Sequence, residues 1–201
     1  MAKESNLKNM VTALFVITLV SSATLGFMYE VTKGPRAAAE ENKLQLAVKK
    51  VLPPYTNNPV AEKYTISNPD GEGPDLVCYP ALENTKPIGV AIETYTMNGF
   101  SGLVRLMVGF TQQGEIVEIV VLEQKETPGL GTKMGDPSFK DQFKGLIPGG
   151  DRFKVKKDGG DIDAITAATI SSRAFIDALN RANRGYMGTE GNSGATPAAK
   201  Q

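Results

Sequence analysis

The chain has 201 residues, with 22 Lys+Arg balanced by 22 Asp+Glu, no His, no Trp and a single Cys. A formal charge of zero leaves no basic excess to displace counterions from a phosphate backbone, so no nucleic-acid partner is expected. Without His there is no Ser-His-Asp or Cys-His relay and no imidazole for zinc, copper or haem, and one thiol holds neither an iron–sulfur cluster nor an internal disulfide. No metal site is expected, and any redox work falls to an organic cofactor.

The first predicted element is a membrane span. Between Lys8 and Glu30 lie 21 uncharged residues, including Ala13 to Val20. At about 1.5 Å per helical residue this length matches a hydrocarbon core of roughly 30 Å. The alternative is a cleaved signal peptide with Ser21-Ser22-Ala23 as its small-residue site. The apolar run continues through Leu25, Phe27 and Met28, which favours a retained anchor over residues 9–29. Lys3 and Lys8 precede the span while Lys33, Arg36, Lys43 and Lys49 follow it, and a long following domain crosses regardless of charge, so charge does not set the orientation.

Residues 30–74 are expected to be linker and helical connector. Thr32-Lys33-Gly34-Pro35 has the composition of a short linker. Residues 37–52 are rich in helix formers, with Leu44, Val48, Val51 and Leu52 on one stripe and Pro53-Pro54 as the stop. Turn residues then run to Pro74. From Asp75 to Gln124 the pattern becomes that of strands. The runs 88–96, 103–110 and 116–122 are joined by Asn98-Gly99-Phe100-Ser101-Gly102 and Gln113-Gly114-Glu115, short connections that favour an antiparallel meander. Cys78, in Leu76-Val77-Cys78-Tyr79, is expected to be a buried small hydrophobe. Phe153-Lys154-Val155-Lys156 has the pattern of one more strand. Ser171 to Asn183 has Phe175, Ile176, Leu179 and Ala182 at helical spacing. The Gly-marked residues 185–201 are expected to form a disordered tail. The fold class expected is α+β, an antiparallel sheet with flanking helices over residues 75–184, preceded by one transmembrane helix.

Two segments carry candidate chemistry. In Glu126-Thr127-Pro128-Gly129-Leu130-Gly131-Thr132-Lys133, the two glycines flanking Leu130 permit left-handed backbone and close approach to a ligand, although any strand-ending turn also contains Pro-Gly. In Asp163-Ala164-Ile165-Thr166-Ala167-Ala168-Thr169-Ile170-Ser171-Ser172, hydroxyls cluster where a helix begins. A phosphate is favoured at such a helix end, while plain capping by Thr169 or Ser171 is the competing explanation.

The order anchor, helix, meander, Glu-Thr-Pro-Gly-Leu-Gly loop and Asp-Ala-Ile-Thr-Ala-Ala-Thr-Ile-Ser-Ser resembles the FMN-binding domain of the G subunit of the Rnf electron-transport complex. It is also similar to the C subunit of the sodium-translocating NADH:quinone oxidoreductase, which stands as the alternative. The resemblance covers residues 6–186. It implies FMN joined through its phosphate to the last Thr of a (Ser/Thr)-Gly-Ala-Thr motif, here Thr166, Ala167, Ala168 and Thr169, so that Thr169 is the attachment point. Ser171 and the loop residues Glu126, Thr127, Gly129, Leu130 and Gly131 are the further cofactor-binding candidates. Ala167 stands where Gly is usual, which is harmless if φ is negative there and a hindrance if the position requires positive φ. The resemblance also implies a separate flavin transferase, membrane-bound partner subunits of an ion-translocating complex, and a domain on the outer, periplasmic face of a bacterial inner membrane. The chain is then a redox carrier within a complex, with no catalytic residues of its own. A membrane-tethered module holding FMN noncovalently is the reading from a different class. A second motif match, Ser193-Gly194-Ala195-Thr196, sits in the Gly-rich tail with no apolar run beside it, so Thr169 is expected to carry the flavin and Thr196 is not.

Overall fold

The computed structural model describes residues 6–71 and 73–190. Helix α1 spans Leu7–Val51, 45 residues with Pro35 inside it. The expected break at Thr32–Pro35 is therefore absent. Thr32 Oγ1 bonds back to the Met28 carbonyl at 2.7 Å, and Ala37, Ala38 and Ala39 beyond the proline are the strongest of helix formers. Among the described residues α1 is the one helix long and apolar enough to cross a membrane, and its apolar N-terminal portion is unburied.

The chain divides into two units, one ending at Lys43 and one beginning at Leu44. In the second, five strands form one sheet in the order β1-β2-β3-β4-β5, every neighbouring pair antiparallel: β1 Tyr64–Ile66, β2 Leu76–Glu83, β3 Lys86–Gly99, β4 Gly102–Thr111 and β5 Ile116–Gln124. The register pairs Ile92 with Val108 and Ile119 with Val108 across β3, β4 and β5. Both faces are covered, so adjacent residues on one strand are buried on opposite sides. Cys78, Ile92, Leu106, Val108 and Phe110 face one core, shared with Phe175, Ala178, Leu179 and Ala182 of the last helix. Tyr79, Ala91, Met107 and Leu122 face the other, closed by Ala47, Val48, Val51 and Leu52, with Leu44 partly buried against it. The stripe expected on residues 37–52 is thus the face that meets the sheet. Cys78 is fully buried, and burial pushes its thiol up to about 12, so it acts as a small hydrophobe.

After the sheet come a 3₁₀ turn at Gly131–Gly135, the one-turn helix α2 at Pro137–Lys140 and a long irregular segment. The strand expected at Phe153–Lys156 does not form. Val155 makes only a single parallel bridge to Ile162, and the chain turns at once into a 3₁₀ element at Lys156–Asp158 that ends on left-handed Gly159. Helix α3 spans Thr169–Glu190, beginning earlier and ending later than the apolar spacing indicates. Its extension over 185–190 has a packing reason. A Cβ at Gly185 would lie 2.8 Å from Ile66 Cδ1, so the missing side chain lets α3 close on the sheet. Tyr186 is 5% exposed, stacks on Phe110 at 5.3 Å and donates to the Gln112 carbonyl at 2.8 Å. The remainder of the expected tail, 191–201, lies outside the described residues.

Candidate functional site

Both candidate segments fold as tight turns of the same kind. In Thr127-Pro128-Gly129-Leu130 the Leu130 amide donates to the Thr127 carbonyl at 3.1 Å, and Gly129 has φ +75°. Proline in second position and a left-handed third residue make this a type II turn, for which glycine is suited. The turn is tied off by Thr132, whose hydroxyl accepts from the Gly129 amide at 3.0 Å. In Ile165-Thr166-Ala167-Ala168 the Ala168 amide donates to the Ile165 carbonyl at 3.0 Å, and Ala167 has φ +60°. The backbone at Ala167 is left-handed, and this chain places a Cβ there. Left-handed geometry costs an L-residue about 1–2 kcal/mol relative to glycine.

The turn delivers Thr169 as the first residue of α3, half-buried. Neither expected side-chain cap forms. The Ser172 amide bonds to the Ala168 carbonyl at 3.0 Å, making Ala168 the residue that opens the helix. The hydroxyl of Ser171 is turned to Glu126, and that of Thr169 has no hydrogen-bond partner among the described residues. Among the described residues the amides of Thr169, Ile170 and Ser171 likewise have no acceptor. A free hydroxyl therefore stands beside three free N–H groups at the positive end of a 22-residue helix, an arrangement that favours a phosphate. Arg173, at the start of the second turn of α3, is paired with Asp158 through two bonds of 2.7 and 2.6 Å.

One buried contact joins the two segments. Ser171 Oγ donates to Glu126 Oε2 at 2.5 Å, and Glu126 Oε1 accepts from the Ser101 amide at 3.0 Å in the β3–β4 turn. Glu126 and Ser171 are 4% and 2% exposed, so this carboxyl bridges three elements with almost no water around it. Gly131 lies against the bridge. Its φ is not left-handed, yet a Cβ there would come within 2.5 Å of Ser171 Oγ and 2.7 Å of Glu126 Oε2. Gly129 thus serves the turn and Gly131 the close approach. Thr127 and Thr166 are exposed, Ala168 is buried, and Leu130 and Ile170 are 40% and 47% exposed.

Two partners of the site have no role in the sequence-based reading. Gln142 pairs with the backbone of Asp163 in both directions, accepting from its amide at 2.9 Å and donating to its carbonyl at 3.1 Å. Together with Lys133, Phe139, Ile165 and Thr166, Gln142 lines a cleft of about 330 Å³ beside the turn. Ser101 is the other, and the Gly-marked turn that holds it gives no sign that its amide serves the site. The rival motif Ser193–Thr196 lies outside the described residues.

Residues 99–184 match the family of the FMN-binding domain. The G subunit of the ion-translocating oxidoreductase complex of Vibrio cholerae serotype O1 is 33% identical over 178 residues, spanning 84% of this chain and 85% of its own. That of Erwinia tasmaniensis is 34% identical over 182 residues, spanning 87% and 86%. Among solved structures, the C subunit of the Na(+)-translocating NADH-quinone reductase of Parabacteroides distasonis shares the fold, with a TM-score of 0.51 and 16% identity over 74% of this chain and 90% of that one.

Proposed function

The chain belongs to the family of the G subunits of ion-translocating oxidoreductase complexes, and from that premise we propose that it transfers electrons within such a complex through FMN held covalently on Thr169. The observation that carries the reading is the half-buried Thr169 hydroxyl, unengaged by the described residues and set beside three unengaged amides at the start of α3. The residues present fit the group. Thr169 Oγ1 would hold the phosphorus, the amides of 169–171 would face the phosphate oxygens, and the bridged pair Glu126–Ser171 would hold the loop 127–131 beside them. When bound, FMN accepts and donates electrons one or two at a time, chemistry that no side chain of this protein supplies.

Attachment would be a phosphoryl transfer in which a new O–P bond to Thr169 Oγ1 replaces the phosphoanhydride P–O bond of a flavin dinucleotide, with AMP as the leaving group and the hydroxyl proton taken up by a base of the flavin transferase. A phosphoester tether retains the flavin whatever the affinity of its pocket, which suits a carrier that must not lose its cofactor. The left-handed geometry at Ala167 is already present in the fold, so loading does not have to impose it. The apolar part of α1 is assigned as a single-pass anchor in a bacterial inner membrane, with the second unit on the periplasmic side among the membrane subunits of the complex.

The test is the protein expressed with a bacterial flavin transferase, denatured and freed of small molecules. Flavin fluorescence that stays with the unfolded chain supports the reading. Flavin that leaves with the solvent refutes covalent attachment and favours a noncovalent FMN module.

A further inference from the structure

Ser172 is fully buried, and its hydroxyl spans the whole of the turn that precedes Thr169. Its oxygen accepts from the Ile165 amide at 2.9 Å and donates to the Ala168 carbonyl at 3.0 Å. Ile165 and Ala168 are the first and last residues of the turn, already joined by the Ala168 amide to the Ile165 carbonyl. One side chain thus staples both ends of a four-residue turn whose third residue, Ala167, is held at φ +60° with a Cβ in place. A turn built on glycine would need no such support, since glycine takes this conformation freely. Here the backbone on its own prefers to relax to negative φ, which would redirect the chain entering α3 and with it the Thr169 hydroxyl.

We infer that Ser172 is a positioning residue for flavin attachment, bracing the left-handed Thr166-Ala167 turn so that the Thr169 hydroxyl is presented to the phosphorus. The inference rests on the assignment of Thr169 as the attachment site. It makes Ser172 and Ala167 interdependent, with the staple needed because the third turn residue is not glycine.

The experiment is a double-mutant cycle on the full chain in detergent, loaded with FAD by a purified flavin transferase and followed by in-gel fluorescence after denaturation. Thermal melting of each unloaded variant is read in parallel. Thr169→Ala is the control on the site. If it still acquires flavin, the assignment of Thr169 fails, and Ser172 falls with it. With that control dark, Ser172→Ala is expected to load about tenfold more slowly than the wild type, equivalent to about 1.4 kcal/mol on the barrier. In the Ala167→Gly background the same change is expected to slow loading less than twofold, while the loss of melting temperature is similar in both backgrounds. Loading by Ser172→Ala at the wild-type rate overturns the inference, as does an equal slowing in both backgrounds, which would make Ser172 a packing residue only. If Ser172→Ala does not fold, Ser172→Cys, of similar volume and weak hydrogen bonding, is read in the same cycle. Amide exchange of the wild type gives a check without substitution. The Ile165 and Ala168 amides should exchange slowly in the unloaded protein, and exchange as fast as at exposed Thr166 overturns the staple.

Discussion

Replacing Gly131 by Ala tests whether the two candidate segments form one site. Position 131 has ordinary backbone, so Ala is not opposed by φ, and its effect comes from contact alone. The added Cβ would lie 2.5 Å from Ser171 Oγ, 2.7 Å from Glu126 Cβ and 2.7 Å from Glu126 Oε2. Two of these atoms are the donor and acceptor of the buried 2.5 Å hydrogen bond, so the clash is relieved by parting them. A hydrogen bond to a carboxyl in a buried setting contributes about 1.5–3 kcal/mol, and overpacking by one methyl costs about 1–3 kcal/mol. The two overlap, because movement that relieves the clash is the same movement that breaks the bond, and a total of about 3 kcal/mol is expected. For a body of this size that is a fall of about 6–12 °C in melting temperature at about 2–4 °C per kcal/mol. Gly129→Ala provides the contrast, since a Cβ there meets nothing within 4 Å and the strain comes only from φ +75°. It should cost about 1–2 kcal/mol and leave the Glu126–Ser171 bond intact. The assay is differential scanning calorimetry of both variants beside flavin loading. A Gly131→Ala protein that melts within about 2 °C of wild type and loads normally would refute the joining of the two segments through Glu126.

Thr85 has φ +71° and follows Asn84 at φ +46° in the β2–β3 turn, and a β-branched residue is poorly suited to that geometry. Thr85→Gly should therefore stabilise the protein by about 0.5–1 kcal/mol, left-handed strain relieved less the added entropy of the unfolded chain, and a lower melting temperature would contradict it. Burial pushes Glu118 up, but hydrogen bonds from Lys140, Lys144 and its neighbouring Ile119 amide outweigh burial and hold it at about 2, against an ordinary 4.5. A depressed carboxyl gives stability that is complete above 4.5 and lost as pH falls through 2. Glu118→Gln should flatten the stability profile between about pH 5 and 2, and an acid limb as steep as wild type would rule Glu118 out as its source. The segment 9–29 is predicted to remain in the mature protein, so N-terminal sequencing of native material that begins near Thr24 would contradict a retained anchor.

The meander was legible because its connections announce themselves. Phe100-Ser101 sits between Gly99 and Gly102, which pair across the hairpin, and Gly114 closes the next turn. Strand β1 was not, being three residues with two exposed and bounded by nothing that distinguishes it from loop. The Asn84-Thr85 turn was also hidden, since threonine at positive φ is a choice the surrounding strands impose. Glycines misled in two places. Gly34-Pro35 suggests a break that strong helix formers on its far side override, and Gly185 suggests a tail where it permits close packing. At the site, the sequence exposes the residue types but not their division of labour. That Ser171 would face Glu126 across 45 positions, leaving Thr169 free, depends on the fold. The sign of φ at Ala167 is likewise set by the staple from Ser172, five residues on.

The most direct measurement is peptide mapping by mass spectrometry of protein matured with a flavin transferase, comparing wild type, Thr169→Ala and Thr196→Ala. One flavin phosphate is expected on the peptide containing Thr169 in the wild type, none anywhere in Thr169→Ala, and an unchanged adduct in Thr196→Ala. Flavin found on Thr196, or retained by Thr169→Ala and lost from Thr196→Ala, would place the cofactor in the Gly-rich segment and contradict the assignment of the α3 N-terminus as its seat.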